Sequence, residues 1–309
     1  MAQTYPKEDM EVLLIDGRSE DNTGQIIETY TQRYPFIKVV ENPRKIVPTA
    51  LNIGIKASKG DVIIRLDAHT YYDKNYISKC IETLNKMDAD NVGGPISTLP
   101  GDNTLMAKAI AWATSHPFGV GNSKFRTSNK AQYVDTVTFG AFRRTIFEKV
   151  GLFNEKLIRN QDIELNSRIR KIGGKIFLNP EIKSYYYNQS NLRGLWRQGF
   201  KTGMWNIFTK RVNKGSLSIR HFIPLFFVLS LISSMILCLI HPIGIYLLSI
   251  VAGSYILISI FFSLRIGFEH KLETIPFLPI VFFTLHFSYG LGSIMGILKL
   301  RHWQGEIEK

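Results

Sequence analysis

Hydrophobic and polar positions divide the chain into two halves of different kind. Up to about Arg220 short apolar stretches alternate with polar ones, the pattern of elements that bury one face each; beyond it long uncharged runs dominate. The first run, Met10 to Ile15, predicts a strand. Behind it, Asp16-Gly17-Arg18-Ser19-Glu20-Asp21-Asn22-Thr23-Gly24 has the composition of a turn and leads into a helix from about Gln25 to Arg33. Val39-Val40 predicts a second strand, and Pro48 to Ser58 a helix with Ala50, Leu51 and Ile55 inward. Val62 to Leu66, mostly β-branched and following Lys59-Gly60, predicts a buried strand whose far end delivers Asp67 and His69 into a turn. Next come a helix from about Asn75 to Met87, a strand at Asn91 to Gly93, and a long polar region from Pro95 to Ala131. A strand at Thr136 to Phe142, a short helix at Arg144 to Val150, and a helix at Asp162 to Ile172 with Ile163, Ile169 and Ile172 on one side complete this half. Strands alternating with helices predict a doubly wound α/β domain.

In the second half, Phe222 to Ile240 carries no charge over the length needed to cross a bilayer; His241-Pro242 breaks it, and Ile243 to Leu264 is again uncharged. A third run, Ile275 to Leu298, contains His286, Pro276, Pro279 and three glycines but no Lys, Arg, Asp or Glu, and predicts a third span or a tilted or re-entrant segment. The resulting division is a domain over 1–182, a basic aromatic juxtamembrane segment over 183–221, about three membrane helices over 222–298, and a tail over 299–309.

The formal net charge of +13 acquires meaning from its position. Between Lys183 and Arg220 stand Lys183, Arg193, Arg197, Lys201, Lys210, Arg211, Lys214 and Arg220, with no acidic residue and with Trp196, Phe200, Trp205 and Phe208 interleaved. A groove for single-stranded nucleic acid would need a similar mixture. Adjacency to the apolar runs favours anionic headgroups instead, no nucleic acid, and a cytoplasmic soluble domain. Three spans would leave Lys299, Arg301 and Lys309 on the far side, against that bias, so the span count stays open. The cysteines, Cys80 and Cys238, form no disulfide framework or zinc pattern, and the start lacks the basic-then-apolar layout of a signal peptide.

Candidate chemistry lies at element ends. Asp16 follows one strand, Asp67 and His69 follow another, and Asp162 opens a helix within Arg159-Asn160-Gln161-Asp162-Ile163-Glu164. Each alone has a plain structural explanation, as a helix cap or a turn residue. Together, carboxylates at the carboxyl ends of strands occupy the place where open α/β sheets bind ligands, and Asp67 with His69 can jointly hold a divalent ion.

Val12-Leu13-Leu14-Ile15-Asp16-Gly17-Arg18-Ser19-Glu20-Asp21-Asn22-Thr23 resembles the nucleotide-binding segment of family 2 glycosyltransferases, and Arg65-Leu66-Asp67-Ala68-His69 resembles their DXD segment. Phe139 to Arg144 with Gly151-Leu152-Phe153, and Asn160 to Arg168, resemble the stretches that precede and carry their catalytic base. The resemblance runs from about Thr4 to Gly203, and is nearest to bacterial membrane-bound transferases of the succinoglycan exopolysaccharide kind. It implies a GT-A fold, a Rossmann-like mixed sheet that inverts the anomeric carbon of a nucleotide sugar, a UDP-sugar above all, followed by transmembrane helices. On that resemblance Asp16 contacts the nucleobase, Asp67 the ribose or the metal, His69 takes a metal-ligand place, and Mg²⁺ or Mn²⁺ bridges the diphosphate. Asp162 is the general base. Leu195 to Phe200 resembles faintly a Gln-x-x-Arg-Trp segment, which puts Arg197 at the diphosphate, at a lipid pyrophosphate or at a lipid headgroup. The acceptor implied is a lipid-linked saccharide, and the place a bacterial inner membrane crossed several times with the catalytic domain cytoplasmic.

Three departures accompany the resemblance. Gly17 stands where a second Asp is common, and Gln161 where an acid often precedes the base. Gln3-Thr4-Tyr5-Pro6 stands at the very start, where the family has a first strand and helix before it, so those two elements are expected to be missing and the N-terminus truncated. The alternatives are a polyprenyl-phosphate glycosyl synthase and a non-catalytic relative that binds a partner at the membrane.

Overall fold

The structure, a computed structural model, describes residues 2–303; the tail expected over 299–309 lies outside the described residues from 304 onward. The chain opens with β1 (Val12–Asp16), α1 (Thr23–Arg33), β2 (Ile37–Glu41) and α2 (Val47–Ala57), then β3 (Val62–Ile64), β4 (Thr70–Tyr72), α3 (Tyr76–Met87), β5 (Asn91–Gly93) and β6 (Ile96–Leu99). Helices α4 (Leu105–Ala113), α5 (Pro117–Val120) and α6 (Lys124–Thr127) lead to β7 (Gln132–Tyr133), β8 (Ala141–Arg143), α7 (Arg144–Val150), α8 (Gln161–Lys171), β9 (Ile176–Leu178) and β10 (Ser184–Tyr187). Four long helices follow, α9 (Leu192–Val212), α10 (Ile223–Cys238), α11 (Ile243–Glu269) and α12 (Leu278–Lys299). They fold as two compact units, one made of the residues up to Ile96 with Asn129–Ser184, the other of Ser97–Ser128 with Tyr185–Trp303.

The first unit is built on a five-stranded sheet of order β3-β8-β5-β9-β7. The sheet is mixed, as the resemblance implied: β8 runs antiparallel to both β3 and β5, while β5 and β9 are parallel. Strand β3 is at its edge, which leaves Val62, Ile63 and Ile64 half-buried where full burial was expected. β1 and β2 pair in parallel as a separate two-stranded sheet, from Val12 opposite Ile37 to Asp16 opposite Glu41. The strand expected over Thr136 to Phe142 begins only at Ala141. Phe139 adopts a left-handed φ of 49°, and Gly140 sits where any Cβ would run into the Asn91 side-chain oxygen.

Two polar ties set where α8 lies. Asn52 on α2 donates from Nδ2 to the Phe153 carbonyl and to Glu155 Oε1, both at 2.9 Å, and its Oδ1 accepts from the Phe153 N–H at 2.9 Å. Beneath α8, Asn91 Nδ2 donates to Asn166 Oδ1 at 2.8 Å, and Asn166 Nδ2 donates to Thr136 Oγ1 at 2.8 Å, all within the core. Leu165 and Ile169, one turn apart, are fully buried. Burial of each contributes roughly 1.5–3 kcal/mol, more than the ~1 kcal/mol of a side-chain cap, and α8 has no such cap at Asn160. Packing and the Asn166 network therefore hold the helix. Of the side chains expected inward, Ile169 is buried, Ile163 is half-buried, and Ile172 is exposed because the helix has ended before it.

The region Pro95 to Ala131, expected as a long polar stretch, falls mostly in the second unit and contains β6 and the helix α4, whose Ala107, Ala109, Ile110, Ala111 and Ala113 are buried. Ile110 and Ala113 pack with Leu195, Ile266, Leu278, Val281, Phe282 and Leu285 in one core. Helix α12 lies against α9 at glycine contacts: a Cβ on Gly203 would run into the Tyr289 carbonyl oxygen, and one on Gly292 into that of Phe200. Gly203→Ala is expected to force the two helices apart at a cost of about 1–3 kcal/mol. Thermal unfolding of the detergent-solubilised protein checks this; an unchanged midpoint would mean that the contact is loose.

Candidate active site

Asp67 leaves the end of β3 in a turn closed by the Thr70 N–H on the Asp67 carbonyl at 3.2 Å. Its carboxylate is held by both arms of one guanidinium: Arg65 Nε donates to Oδ1 at 2.8 Å and Nη2 to Oδ2 at 3.0 Å. The Asp67 N–H donates to the Tyr72 phenol oxygen at 2.7 Å. Tyr72 packs edge-on against Tyr76 and Phe139, and burial pushes its phenol up to about 12. The Tyr76 hydroxyl in turn donates to the Phe139 carbonyl at 2.5 Å, and the Arg65 N–H to the Gly140 carbonyl at 3.1 Å. The left-handed turn at Phe139 thus anchors the Asp67 turn from below.

Burial disfavours the Arg65 charge, but the hydrogen bonds to Asp67 and the negative charges of Asp67 and Asp162 more than offset it and hold the guanidinium above its ordinary value. Arg65 therefore lies in the field of two carboxylates, one at the tip of β3 and one in the first turn of α8. Asp162 is half-buried, with Oδ1 accepting from the Ile163 N–H at 2.9 Å. Glu164, two residues on, is buried and gripped by Arg168 at 2.8 to 3.1 Å, and Arg168 also bonds the carbonyls of Val150, Gly151 and Leu152. Its task is to tie α8 to the loop behind α7.

His69 is exposed, with Nε2 4.0 Å from Asp67 Oδ2 and Nδ1 3.1 Å from Thr70 Oγ1. Among the described residues no group of three or more His, Cys, Asp or Glu side chains is placed to hold a metal ion. The donor set fits a divalent ion of the nucleotide kind all the same. Such ions are held by one or two protein groups with substrate phosphates completing the shell, and each Asp67 oxygen keeps a lone pair beyond its bond to Arg65.

Asp16 ends β1, on the two-stranded sheet, so the three carboxylates do not surround one sheet. Its Oδ1 accepts from Ser19 Oγ at 2.6 Å and Oδ2 from the Ser19 N–H at 3.1 Å, bonds that hold its carboxyl below the usual range. Arg197 is exposed on α9, in the second unit. The residues that the sequence reading missed are Arg65 and Tyr72. Arg65 had a visible signal, a charge inside the apolar run Val62 to Leu66; Tyr72 had none beyond its place in Thr70-Tyr71-Tyr72.

Residues 1–151 match the model of glycosyl transferase family 2. That match takes in just under half of the chain, whose first unit is a mixed α/β domain, and with the relatives below it makes the chain a glycosyltransferase. Two relatives are each 28% identical. One, from Methanococcus voltae, is named dolichyl N-acetyl-alpha-D-glucosaminyl phosphate 3-beta-D-2,3-diacetamido-2,3-dideoxy-beta-D-glucuronosyltransferase and aligns over 305 residues, 96% of this chain and 90% of its own. The other is the succinoglycan biosynthesis protein ExoA of Rhizobium meliloti (strain 1021), aligned over 216 residues, 69% of this chain and 65% of its own. Among solved structures, S. aureus TarS is similar over 72% of this chain and 39% of its own, with a TM-score of 0.46 and 14% identity, a likeness that assigns no residue.

Proposed function

We propose that the protein is an inverting glycosyltransferase that moves one sugar from a nucleotide sugar, with UDP as the carrier, to a lipid-linked saccharide at the cytoplasmic membrane. The observation that supports this reading is the partly buried Arg65, which grips the candidate donor-side carboxylate Asp67 with two hydrogen bonds and feels the negative charge of the candidate base Asp162. In a single displacement the acceptor hydroxyl oxygen attacks the anomeric carbon, the bond to the diphosphate breaks, and the hydroxyl proton passes to the Asp162 carboxylate. Asp16 receives the nucleobase and Arg197 a phosphate group. Asp67 and His69 would hold Mg²⁺ or Mn²⁺, which neutralises charge on the departing nucleoside diphosphate. A lipid-linked acceptor is supported by the apolar helices and by the dolichyl phosphate in the name of the Methanococcus relative.

The test is transfer of radiolabelled sugar from a panel of nucleotide sugars in membranes that contain the protein. Label in an extractable lipid-linked saccharide is the expected result. No transfer from any donor would defeat the reading, and label on bare polyprenyl phosphate would replace it by a polyprenyl-phosphate synthase. In the same assay His69→Ala is expected to raise the ion concentration needed for half-maximal transfer; an unchanged requirement returns His69 to a turn residue.

A further inference from the structure

We infer that α12 does not cross the bilayer: the chain spans it twice, through α10 and α11, and α12 lies with α9 at the membrane surface on the side where Lys214 emerges. All three helices are long and apolar enough to cross, α10 together with the helical turn before it (Ile219–Cys238), but they differ in how much the protein itself covers them. The apolar windows of α10 and α11 are 17% and 6% buried, that of α12 is 44% buried. Leu278, Val281, Phe282 and Leu285 of α12 are enclosed by residues of α4, α9 and α11.

The glycine contacts give the register of α9 against α12. Gly199 meets Ser288 and Leu285, Gly203 meets Tyr289 and Ser293, Phe200 meets Gly292, and Met204 and Ile207 meet Gly296. Ser293 Oγ donates to the Gly203 carbonyl at 3.3 Å, and the Asn206 amide reaches the Tyr289 hydroxyl. Residue numbers rise together on both helices, so they run parallel, with 199–207 beside 288–296. Beyond the helix, Trp303 stacks on Phe208 of α9 with ring centroids 4.7 Å apart and planes within 3°. The end of α12 is therefore level with the end of α9.

Depth follows from charge. Helix α9 carries Arg193, Arg197, Lys201, Lys210 and Arg211, and its longest uncharged stretch is 202–209. A basic residue at the bilayer centre costs about 2.5–3.5 kcal/mol on insertion scales, so α9 stays among the headgroups. Residues 288–296 of α12 are held at that depth. What remains before them, 278–287, spans about 15 Å at 1.5 Å per residue, half the ~30 Å of hydrocarbon. An all-round apolar helix too short to cross from where it is tethered is a helix buried between other elements, and α4 and α9 supply them. Two spans also return Lys299 and Arg301 to the side of Lys210, Arg211 and Lys214, as the positive-inside bias requires.

The inference rests on α10 and α11 as a membrane hairpin and not on the donor, base or acceptor. Single cysteines placed at the exposed positions Lys214→Cys, His241→Cys and His302→Cys, in the full chain, are labelled with a membrane-impermeant maleimide in right-side-out and inverted vesicles. The parent protein, whose Cys80 is buried and whose Cys238 lies in α10, gives the background. The expected result is that His302→Cys labels in the same vesicles as Lys214→Cys, and His241→Cys in the opposite ones. If His302→Cys labels with His241→Cys there are three spans and the inference fails; it fails too if His241→Cys labels with Lys214→Cys. A C-terminal fusion to alkaline phosphatase, active only outside the cytoplasm, must agree with the side found for Lys214: an inactive fusion with Lys214 cytoplasmic is expected, and an active fusion with Lys214 cytoplasmic overturns the two-span arrangement.

Discussion

Asp162→Asn is expected to lower sugar transfer by about 10²–10⁴-fold, the range that a positioned general base contributes. The substitution keeps size and shape and removes the ability to take a proton. It also removes a negative charge from the first turn of α8, which favours the helix by only about 0.3–1 kcal/mol. Because Leu165, Ile169 and Asn166 anchor α8 in the core, the variant should melt close to the parent, and the loss should lie in turnover. Glu164 is the other carboxylate in that turn, but it is buried and occupied by Arg168. Transfer within tenfold of the parent in Asp162→Asn, with an unchanged melting temperature, would remove Asp162 from the role of base.

The contrast between those two neighbours shows what the sequence can and cannot say. The spacing of Asp16, Asp67 and Asp162 at element ends was readable, because strand and helix boundaries are marked by local turn chemistry. Which carboxylate is free and which is tied was not, since Arg168 reaches Glu164 only once a helix sets the four-residue spacing. Long-range pairing was hidden in the same way. Nothing local marks Asn52 or Asn166 as core positions, yet both are buried, one bonded to Phe153 and one to Asn91 and Thr136, across 101, 75 and 30 residues. Helix α4 escaped notice because its small apolar residues show no strong periodicity; they are buried by residues of α12 far along the chain. Edge position in a sheet depends on partners that a single strand does not name, which is why β3 was expected to be more buried than it is.

Arg65→Met should lose both stability and activity, and a second substitution separates the two. The side chains of Arg65 and Asp67 retain 12% and 22% of their exposure, so this is a partly buried pair. Removing one partner of a buried pair costs about 3–5 kcal/mol, and access of water to Asp67 puts the expected cost near 3 kcal/mol. For a domain of this size that is roughly 6–12 °C in melting temperature. Methionine follows the path of the arginine stem, so the loss comes from the unpaired Asp67 and not from a cavity. Asp67→Asn in the same chain relieves the unpaired charge, and the double variant should therefore be more stable than the sum of the single effects predicts, by about 1–3 kcal/mol. Transfer should stay absent in the double variant, because the carboxylate is gone. Additive losses of stability would mean that the two hydrogen bonds contribute nothing beyond what water supplies. Recovered transfer with the charge removed would take Asp67 out of the donor site altogether.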